Sequence, residues 1–260
     1  MRVLYLNLFL PDHRVEKAAY LTKKAGHEIF FAGKVKQDYE STLISNENSF
    51  TDICSLSFSP RNNLGFKLKP LERKLQEFCS KNDIEVIHAN NVYCAYLANK
   101  LNIPMVFDDH EFYSVELKYM KSSIKNYKEY FSNIIMSIRF PKWERKLSNK
   151  YPVISVSNRI LEDYKKRNSN VKTFLVPNAP LLEEINALPK LERYKELTSI
   201  YTGLNDFPST VPHRNTTGLL EMWENDDIGK LIILGDRNLK STKNVKSLGF
   251  VSQKRLLKNY

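Results

Sequence analysis

The stretch Glu85–Glu111 reads EVIHANNVYCAYLANKLNIPMVFDDHE and holds a complete strand–helix–strand pattern. Glu85–Ala89 is a short apolar run that is typical of a buried strand. Four apolar residues then recur at i, i+3, i+4 and i+7 on one helix face: Cys94, Leu97, Ala98 and Leu101. Pro104 opens a second apolar run, Met105–Phe107. Two strands joined by a helix predict a parallel crossover unit.

The same alternation continues on both sides of this stretch. Further strand-like runs are Val3–Phe9, Glu28–Ala32, Ile53–Phe58, Val153–Val156, Thr173–Val176, Ser199–Thr202, Lys230–Leu234 and Val245–Val251. Helical faces lie between them, and Gly26 and Ser157 stand where a helix C-cap and N-cap belong. This pattern predicts an α/β fold built on parallel sheets. We expect a first domain at residues 1–180, a linker at 181–197 and the start of a second domain at 198–260.

Two polar clusters directly follow predicted strands. Pro11–Arg14 follows the first strand, and Asp108–Glu111 follows the strand at Met105. In parallel α/β sheets, ligands bind at the carboxyl ends of the strands. We therefore expect the binding site to include these two clusters.

Composition excludes several classes of protein. The 260 residues are 42% hydrophobic and 27% charged, which is a globular balance. Three cysteines without a Cys-x-x-Cys spacing exclude a disulfide scaffold and a zinc finger, and they suit a reducing cytoplasm. Neither G-x-G-x-x-G nor G-x-x-x-x-G-K-[ST] occurs, which disfavours classical dehydrogenases and P-loop NTPases. The net charge of +11 favours polyanionic partners.

Residues 118–150 interrupt the alternation with nine basic residues, two acidic residues and many interleaved aromatic and isoleucine side chains. One interpretation is a surface helix pair with solvated charges. The other is an interfacial segment that binds an anionic membrane. The protein would then be cytoplasmic and bound to the inner face of the membrane. Its candidate membrane-contact residues are Lys118, Lys121, Lys125, Lys128, Arg139, Lys142 and Trp143. No nucleic-acid-binding motif accompanies the segment, so we expect no nucleic-acid partner.

Several motifs of the first predicted domain resemble those of retaining GT-B glycosyltransferases. The branch is the large, family-4-like one of bacterial and archaeal lipid and polysaccharide mannosyl- and glucosyltransferases. The similar segments are Asp12–Ala18 (DHRVEKA), Leu21–Glu28 (LTKKAGHE), Val86–Asn90 (VIHAN), Ile103–Glu111 (IPMVFDDHE), Trp143–Leu147 (WERKL), Val153–Ser157 (VISVS) and Leu175–Pro180 (LVPNAP). The second domain adds Ile200–Leu204 (IYTGL), Arg214, Gly218–Glu221 (GLLE), Leu231–Gly235 (LIILG) and Leu248–Val251 (LGFV). The resemblance implies two Rossmann-like domains, the second of them incomplete.

The resemblance also implies a reaction and roles for individual residues. It implies transfer of a hexose from a nucleotide diphosphate sugar to a lipid-linked or polysaccharide acceptor, with retention and without a metal. His110 would face the donor sugar, and Arg214 would stabilise the leaving diphosphate. The expected donor- or acceptor-binding residues are Asp12, Arg14, Asp109, Glu111, Asn178 and Gly203.

Alternatives remain open for several of these residues. His110 is alternatively a packing histidine, Arg214 a surface arginine, Asn178 a plain turn residue and His88 a structural residue. Arg14 either binds phosphate or pairs with a carboxylate and fixes its loop. We expect Asp109 or Glu111 to accept a hydrogen bond from His110.

Two departures from the family pattern leave the function open. The first loop lacks the family's glycine pair, and we expect the family's E-x7-E element, which holds the donor sugar and ribose, beyond Tyr260. We therefore expect a fragment or a short family member. Besides the transferase, the alternatives are a non-catalytic acceptor-binding module without donor binding and a sugar-nucleotide epimerase of GT-B architecture.

Overall fold

The structure is a computed structural model that describes residues 1–37, 39–43, 48–57, 68–120, 127–186, 197–202, 216–225, 228–234 and 240–249. The chain divides into two compact units. The first comprises Met1–Lys118 and Lys128–Leu181, and the second comprises Tyr119–Tyr127 and Leu182–Tyr260.

The first unit is an alternating α/β structure. Its elements, in chain order, are β1 (Arg2–Leu10), α1 (His13–Lys24), β2 (Glu28–Val35), β3 (Asp52–Ser55), α2 (Lys69–Lys81), β4 (Val86–Asn90), α3 (Asn91–Ala98), β5 (Met105–Asp108), α4 (Tyr113–Met120), α5 (Tyr127–Ser148), β6 (Val153–Ser155), α6 (Asn158–Arg167) and β7 (Thr173–Leu175). The helix predicted from Cys94 to Leu101 therefore begins earlier and ends earlier than its apolar face indicated. The strand predicted to reach Phe58 ends at Ser55.

The strands of the first unit form one parallel sheet in the order β3-β2-β1-β4-β5-β6-β7. The strands β2 and β3 lie on one side of β1, and the strands β4 to β7 lie on its other side. This reversal between β1 and β4 creates a crevice at their carboxyl ends, where such sheets bind ligands. The central strands are buried, as their nearly continuous apolar sequences require.

Local sequence signals explain where the helices begin and end. The Asp12 carboxylate accepts a hydrogen bond from the Val15 amide (3.1 Å) and caps α1. The Ser157 hydroxyl accepts one from the Arg159 amide (3.2 Å), which confirms the predicted cap of α6. Gly26 follows the end of α1 with φ of 86°, a left-handed conformation that glycine adopts without strain.

The second unit contains α7 (Leu182–Asn186), β8 (Thr198–Thr202), α8 (Thr216–Asn225), β9 (Lys230–Leu234) and β10 (Val245–Ser247). Its three strands are parallel in the order β10-β9-β8. Leu231, Ile233 and Val245 form its small core. The predicted strand Val245–Val251 ends at Ser247, and the helix predicted after Leu256 lies outside the described residues.

The basic segment contains the 22-residue helix α5, with Pro141 inside it. Trp143 stacks on Tyr96 with ring centroids 3.9 Å apart, and it also contacts Phe140. The half-buried ring of Trp143 thus packs on its own domain, and its contact with a membrane stays a prediction. Arg139 and Lys142 are exposed. Lys121 and Lys125, and the side chains of Lys118 and Lys128, lie outside the described part of the chain.

No helix among the described residues is both long and apolar enough to cross a bilayer.

Candidate functional site

The Asp108 carboxylate lies at the centre of a charged cluster at the carboxyl end of β5. The Arg14 guanidinium donates to it in a fork, from Nε to Oδ2 (3.1 Å) and from Nη2 to Oδ1 (3.0 Å). His88 Nε2 donates to Oδ2 (3.1 Å), and His110 Nδ1 donates to Oδ1 (3.2 Å). A carboxylate has about four acceptor sites, so these bonds saturate Asp108. Asp108 therefore orients its neighbours and is not itself a ligand-binding group.

The sheet brings the members of this cluster together. Asp108 is the last residue of β5, and it pairs in register with Asn90 of the neighbouring strand β4. His88 lies on β4, and its ring stacks on Tyr5 of β1 with centroids 4.7 Å apart. Arg14 is on the first turn of α1, which directly follows β1. The cluster is thus at the point where the strand order reverses.

The electrostatics of the cluster favour a negative Asp108 and a positive His110. Burial by itself raises the pKa of Asp108, but hydrogen bonds from His110 and His88 and the charge of Arg14 hold it well below its usual range. Burial by itself lowers the pKa of His110, but the hydrogen bond and charge of Asp108 outweigh burial and raise it. His110 therefore keeps two N–H groups to a higher pH than an ordinary histidine.

The second ring nitrogen of His110 makes no hydrogen bond to a described residue. Nε2 lies 3.8 Å from Oε1 of Glu111, which is beyond hydrogen-bond distance. The His110 side chain is 14% exposed, and that of Glu111 is 51% exposed. With Nδ1 held by Asp108, a protonated His110 therefore has a second N–H, on Nε2, with which it can donate to a ligand.

Arg14 fixes the loop and does not present a free guanidinium to phosphate. Its Nη1 donates to the Val176 carbonyl (3.2 Å) and to Oδ1 of Asn178 (2.7 Å). Together with the fork to Asp108, four of its five N–H groups are engaged within the first unit. Of our two interpretations of Arg14, the structure favours pairing with a carboxylate. Asn178 is exposed and forms part of the same connection.

Asp12 and Glu16 organise the loops beside this cluster. Besides capping α1, Asp12 accepts a hydrogen bond from Asn7 Nδ2 (3.0 Å). Glu16 accepts bonds from the Asp12 amide (3.2 Å) and from the Thr42 amide (2.6 Å), which ties residues 41–43 to α1. The structure thus places Asp12 in a scaffolding position, although we expected it to bind donor or acceptor.

Asp109 does not face the cluster. It is fully buried, and the Tyr164 hydroxyl donates to its Oδ2 (2.6 Å). The hydrogen bond to His110 that we expected from Asp109 or Glu111 is made by Asp108 instead. Asp109 is the first residue after β5, and its carboxylate has a different partner from that of Asp108. The sequence signal that could have identified Asp108 is its position as the last residue of β5.

The buried Asp109 predicts a pH-dependent stability. Burial first, and then the charge of Glu144, raises the pKa of Asp109 to about 7. An acid whose pKa is raised by folding contributes stability that is complete below its unfolded pKa and is lost as pH rises through the folded value. We expect the free energy of unfolding to fall by about 2–4 kcal/mol between about pH 4 and pH 8.

Urea unfolding across this pH range measures the effect in the wild type and in Asp109→Asn. The amide carries no charge at any of these pH values, so the variant should show a clearly shallower fall. An equally steep fall in Asp109→Asn would contradict the assignment to Asp109.

Two expected site residues cannot be placed. Arg214 and Gly203 lie outside the described residues. Within the residues that the structure describes, no group of three His, Cys, Asp or Glu side chains is arranged to hold a metal ion.

No family model matches the chain, and no curated protein matches it either. Solved structures do match it. Sucrose-phosphate synthase from Thermosynechococcus elongatus aligns with 99% of this chain and 72% of its own, at 14% identity and a TM-score of 0.67. UGT89C1 from Arabidopsis thaliana, solved with UDP-L-rhamnose, aligns with 97% of this chain and 70% of its own, at 12% identity and a TM-score of 0.58.

A third match is a putative UDP-N-acetylglucosamine 2-epimerase from Listeria monocytogenes. It aligns with 97% of this chain and 69% of its own, at 7% identity and a TM-score of 0.58. Identities this low show the fold alone. The fold class is therefore α/β with a Rossmann-like parallel sheet, as predicted, and it is shared with GT-B glycosyltransferases and with an epimerase.

Proposed function

We propose that this protein transfers a hexose from a nucleotide diphosphate sugar to a lipid-linked or polysaccharide acceptor, with retention of configuration. The observation that carries the proposal is the orientation of His110. Asp108 holds one nitrogen of its ring, and the other nitrogen is presented at the carboxyl end of β5, next to the reversal of strand order. The motif resemblance and the fold shared with nucleotide-sugar enzymes support the same reaction class.

In the proposed reaction, the bond between the anomeric carbon of the donor and the diphosphate oxygen breaks, and a bond to an acceptor hydroxyl oxygen forms. The hydroxyl proton leaves to the departing diphosphate. His110 donates a hydrogen bond from Nε2 to a hydroxyl of the donor sugar and thereby holds the sugar in the orientation in which it reacts. Such catalysis consists mainly of positioning and of stabilising the developing negative charge.

The remaining roles follow the motif resemblance. Arg214 is proposed to stabilise the leaving diphosphate, and Gly203 to line the donor site. Glu111, half exposed beside His110, is proposed to contact the acceptor. The proposal includes no metal, so a chelator should leave turnover unchanged.

Proton NMR tests the proposal with the intact chain. A panel of UDP-, GDP- and ADP-hexoses is incubated with the protein and with a polyprenyl-diphosphate-linked or oligosaccharide acceptor. We expect a glycoside with the anomeric configuration of the donor and an equal amount of free nucleoside diphosphate. A product with the opposite configuration would contradict retention.

The second candidate function is a sugar-nucleotide epimerase, which the match to the Listeria monocytogenes protein favours. An epimerase converts the nucleotide sugar into its isomer or eliminates the nucleotide without any acceptor. The same NMR experiment distinguishes it, because a new nucleotide-sugar signal would then appear in the absence of acceptor. That result would replace the transferase proposal.

A further inference from the structure

A cavity with a cationic lining lies between α5 and α6, and none of its lining residues belongs to the Asp108 cluster. It has a volume of about 370 Å³, and its wall is formed by Pro141, Lys142, Arg145 and Arg167. Three of these four residues carry positive charge at neutral pH. The volume falls in the range of small-molecule sites, so the cavity has room for more than an inorganic ion.

The three cations differ in how firmly they are held. Arg167 donates to the buried Glu144 (2.9 Å) and also pairs with Asp163, so its guanidinium is fixed in place. Lys142 and Arg145 are exposed, and no carboxylate of a described residue forms an ion pair with either of them. Glu144 and Asp163 offset the charge of Arg167, whereas no described carboxylate offsets Lys142 and Arg145, so these two side chains leave a local excess of positive charge. An anion would relieve this excess.

Phosphate fits this lining better than a carboxylate does. Arginine presents several N–H donors in a planar fork that matches phosphate oxygens, and lysine adds a point charge. The two cations without a carboxylate partner, Lys142 and Arg145, complement the one or two negative charges of a phosphate group. The cavity therefore has the chemistry of a phosphate-binding site.

Two exposed isoleucines lie next to this site on the same helix face. Ile135 and Ile138 are 43% and 53% exposed. The steps from Ile135 to Ile138, Lys142 and Arg145 are three, four and three residues, which keeps all four side chains on one side of α5. A ligand that occupies the whole face carries a phosphate at one end and an apolar part at the other. We propose that this face binds the phosphate headgroup of an anionic phospholipid.

Vesicle co-sedimentation tests the proposal without any sugar donor, so it succeeds or fails independently of the proposed enzyme activity. Vesicles of phosphatidylcholine with added phosphatidic acid are compared with pure phosphatidylcholine. The test variant is Lys142→Ala/Arg145→Ala, and the matched control is Lys165→Ala/Lys166→Ala, which removes two exposed charges of α6 outside the cavity. We expect the test variant to lose at least about tenfold more affinity for acidic vesicles than the control. Equal losses of affinity in both variants would overturn the assignment of the binding site to this cavity.

A soluble probe separates a lipid headgroup from free phosphate. Glycerol 3-phosphate and inorganic phosphate are titrated by calorimetry into the wild type, the test variant and Ile135→Ser/Ile138→Ser. We expect weak binding of glycerol 3-phosphate that the cavity variant loses and the isoleucine variant keeps, whereas the isoleucine variant loses vesicle binding. If the isoleucine variant binds acidic vesicles as the wild type does, the lipid assignment is wrong and the source is a soluble phosphate.

Discussion

His110→Ala is expected to reduce kcat by about 10²–10³-fold while the protein stays folded and continues to bind the donor nucleotide. This magnitude is that of removing one preorganised hydrogen-bond donor. The effect should appear in kcat more than in KM, because His110 fixes the orientation in which the sugar reacts, and an interaction that acts in the transition state changes kcat. Steady-state kinetics with the preferred donor measure it, and calorimetry measures donor binding separately.

The matched control is His27→Ala, which truncates a histidine whose Nδ1 contacts only the chain's amino terminus among its described hydrogen bonds. This control should keep wild-type kinetics. Wild-type turnover in His110→Ala would remove His110 from the mechanism and would support its interpretation as a packing residue.

Asp108→Asn is expected to have the second large effect, on both stability and activity. The substitution preserves volume but removes the charge that four donors share, and it leaves the Arg14 guanidinium, whose side chain is 13% exposed, without its carboxylate. Breaking such a pair from one side costs about 3–5 kcal/mol when both partners are buried, so we expect roughly 3 kcal/mol here. Chemical denaturation measures this loss.

Asp83→Asn provides the matched control for the stability effect. Asp83 also pairs with an arginine, Arg2, at 2.7 Å, but its side chain is 80% exposed. An exposed pair contributes at most about 1 kcal/mol. Equal destabilisation by the two substitutions would show that Asp108 is not the centre of a buried network. Folding lowers the pKa of Asp108, so its contribution to the free energy of unfolding is lost progressively in acid. The difference in free energy of unfolding between the wild type and Asp108→Asn should therefore narrow as pH falls below about 4.

A pH–rate profile separates a positioning role of Asp108 from a merely structural one. Asp108 raises the pKa of His110, so the alkaline fall of kcat/KM in the wild type should occur above the ordinary histidine range. In Asp108→Asn this fall should move to lower pH. A variant that is less stable but has an unmoved profile would show that Asp108 supports the fold without tuning His110.

The alternation of strands and helices could be predicted from sequence because it depends on local periodicity. The strand Lys230–Leu234 and the N-cap at Ser157 were predicted at the residues where the structure has them. Helix boundaries were less accurate. The apolar face of α3 ends beyond the helix itself, because Leu101 packs in the core from the turn that follows.

The site could be predicted only in part, because its bonds join residues far apart in the chain. The sequence pointed to the two polar clusters that follow β1 and β5, but it did not reveal that Asp108 rather than Asp109 joins them. Which of the two carboxylates joins the clusters depends on the directions of the Asp108 and Asp109 side chains where β5 ends. The stacking of Trp143 on Tyr96 of α3 could not be predicted for a related reason, since composition alone does not show which rings lie opposite each other.

Calorimetric titration of UDP-, GDP- and ADP-sugars into this chain tests the central claim most directly, because a transferase of this kind must bind its donor. The account predicts binding with a clear preference for one nucleotide, and competition by the matching free nucleoside diphosphate. Absence of binding by every donor would contradict the claim and would favour an acceptor-binding module without catalysis.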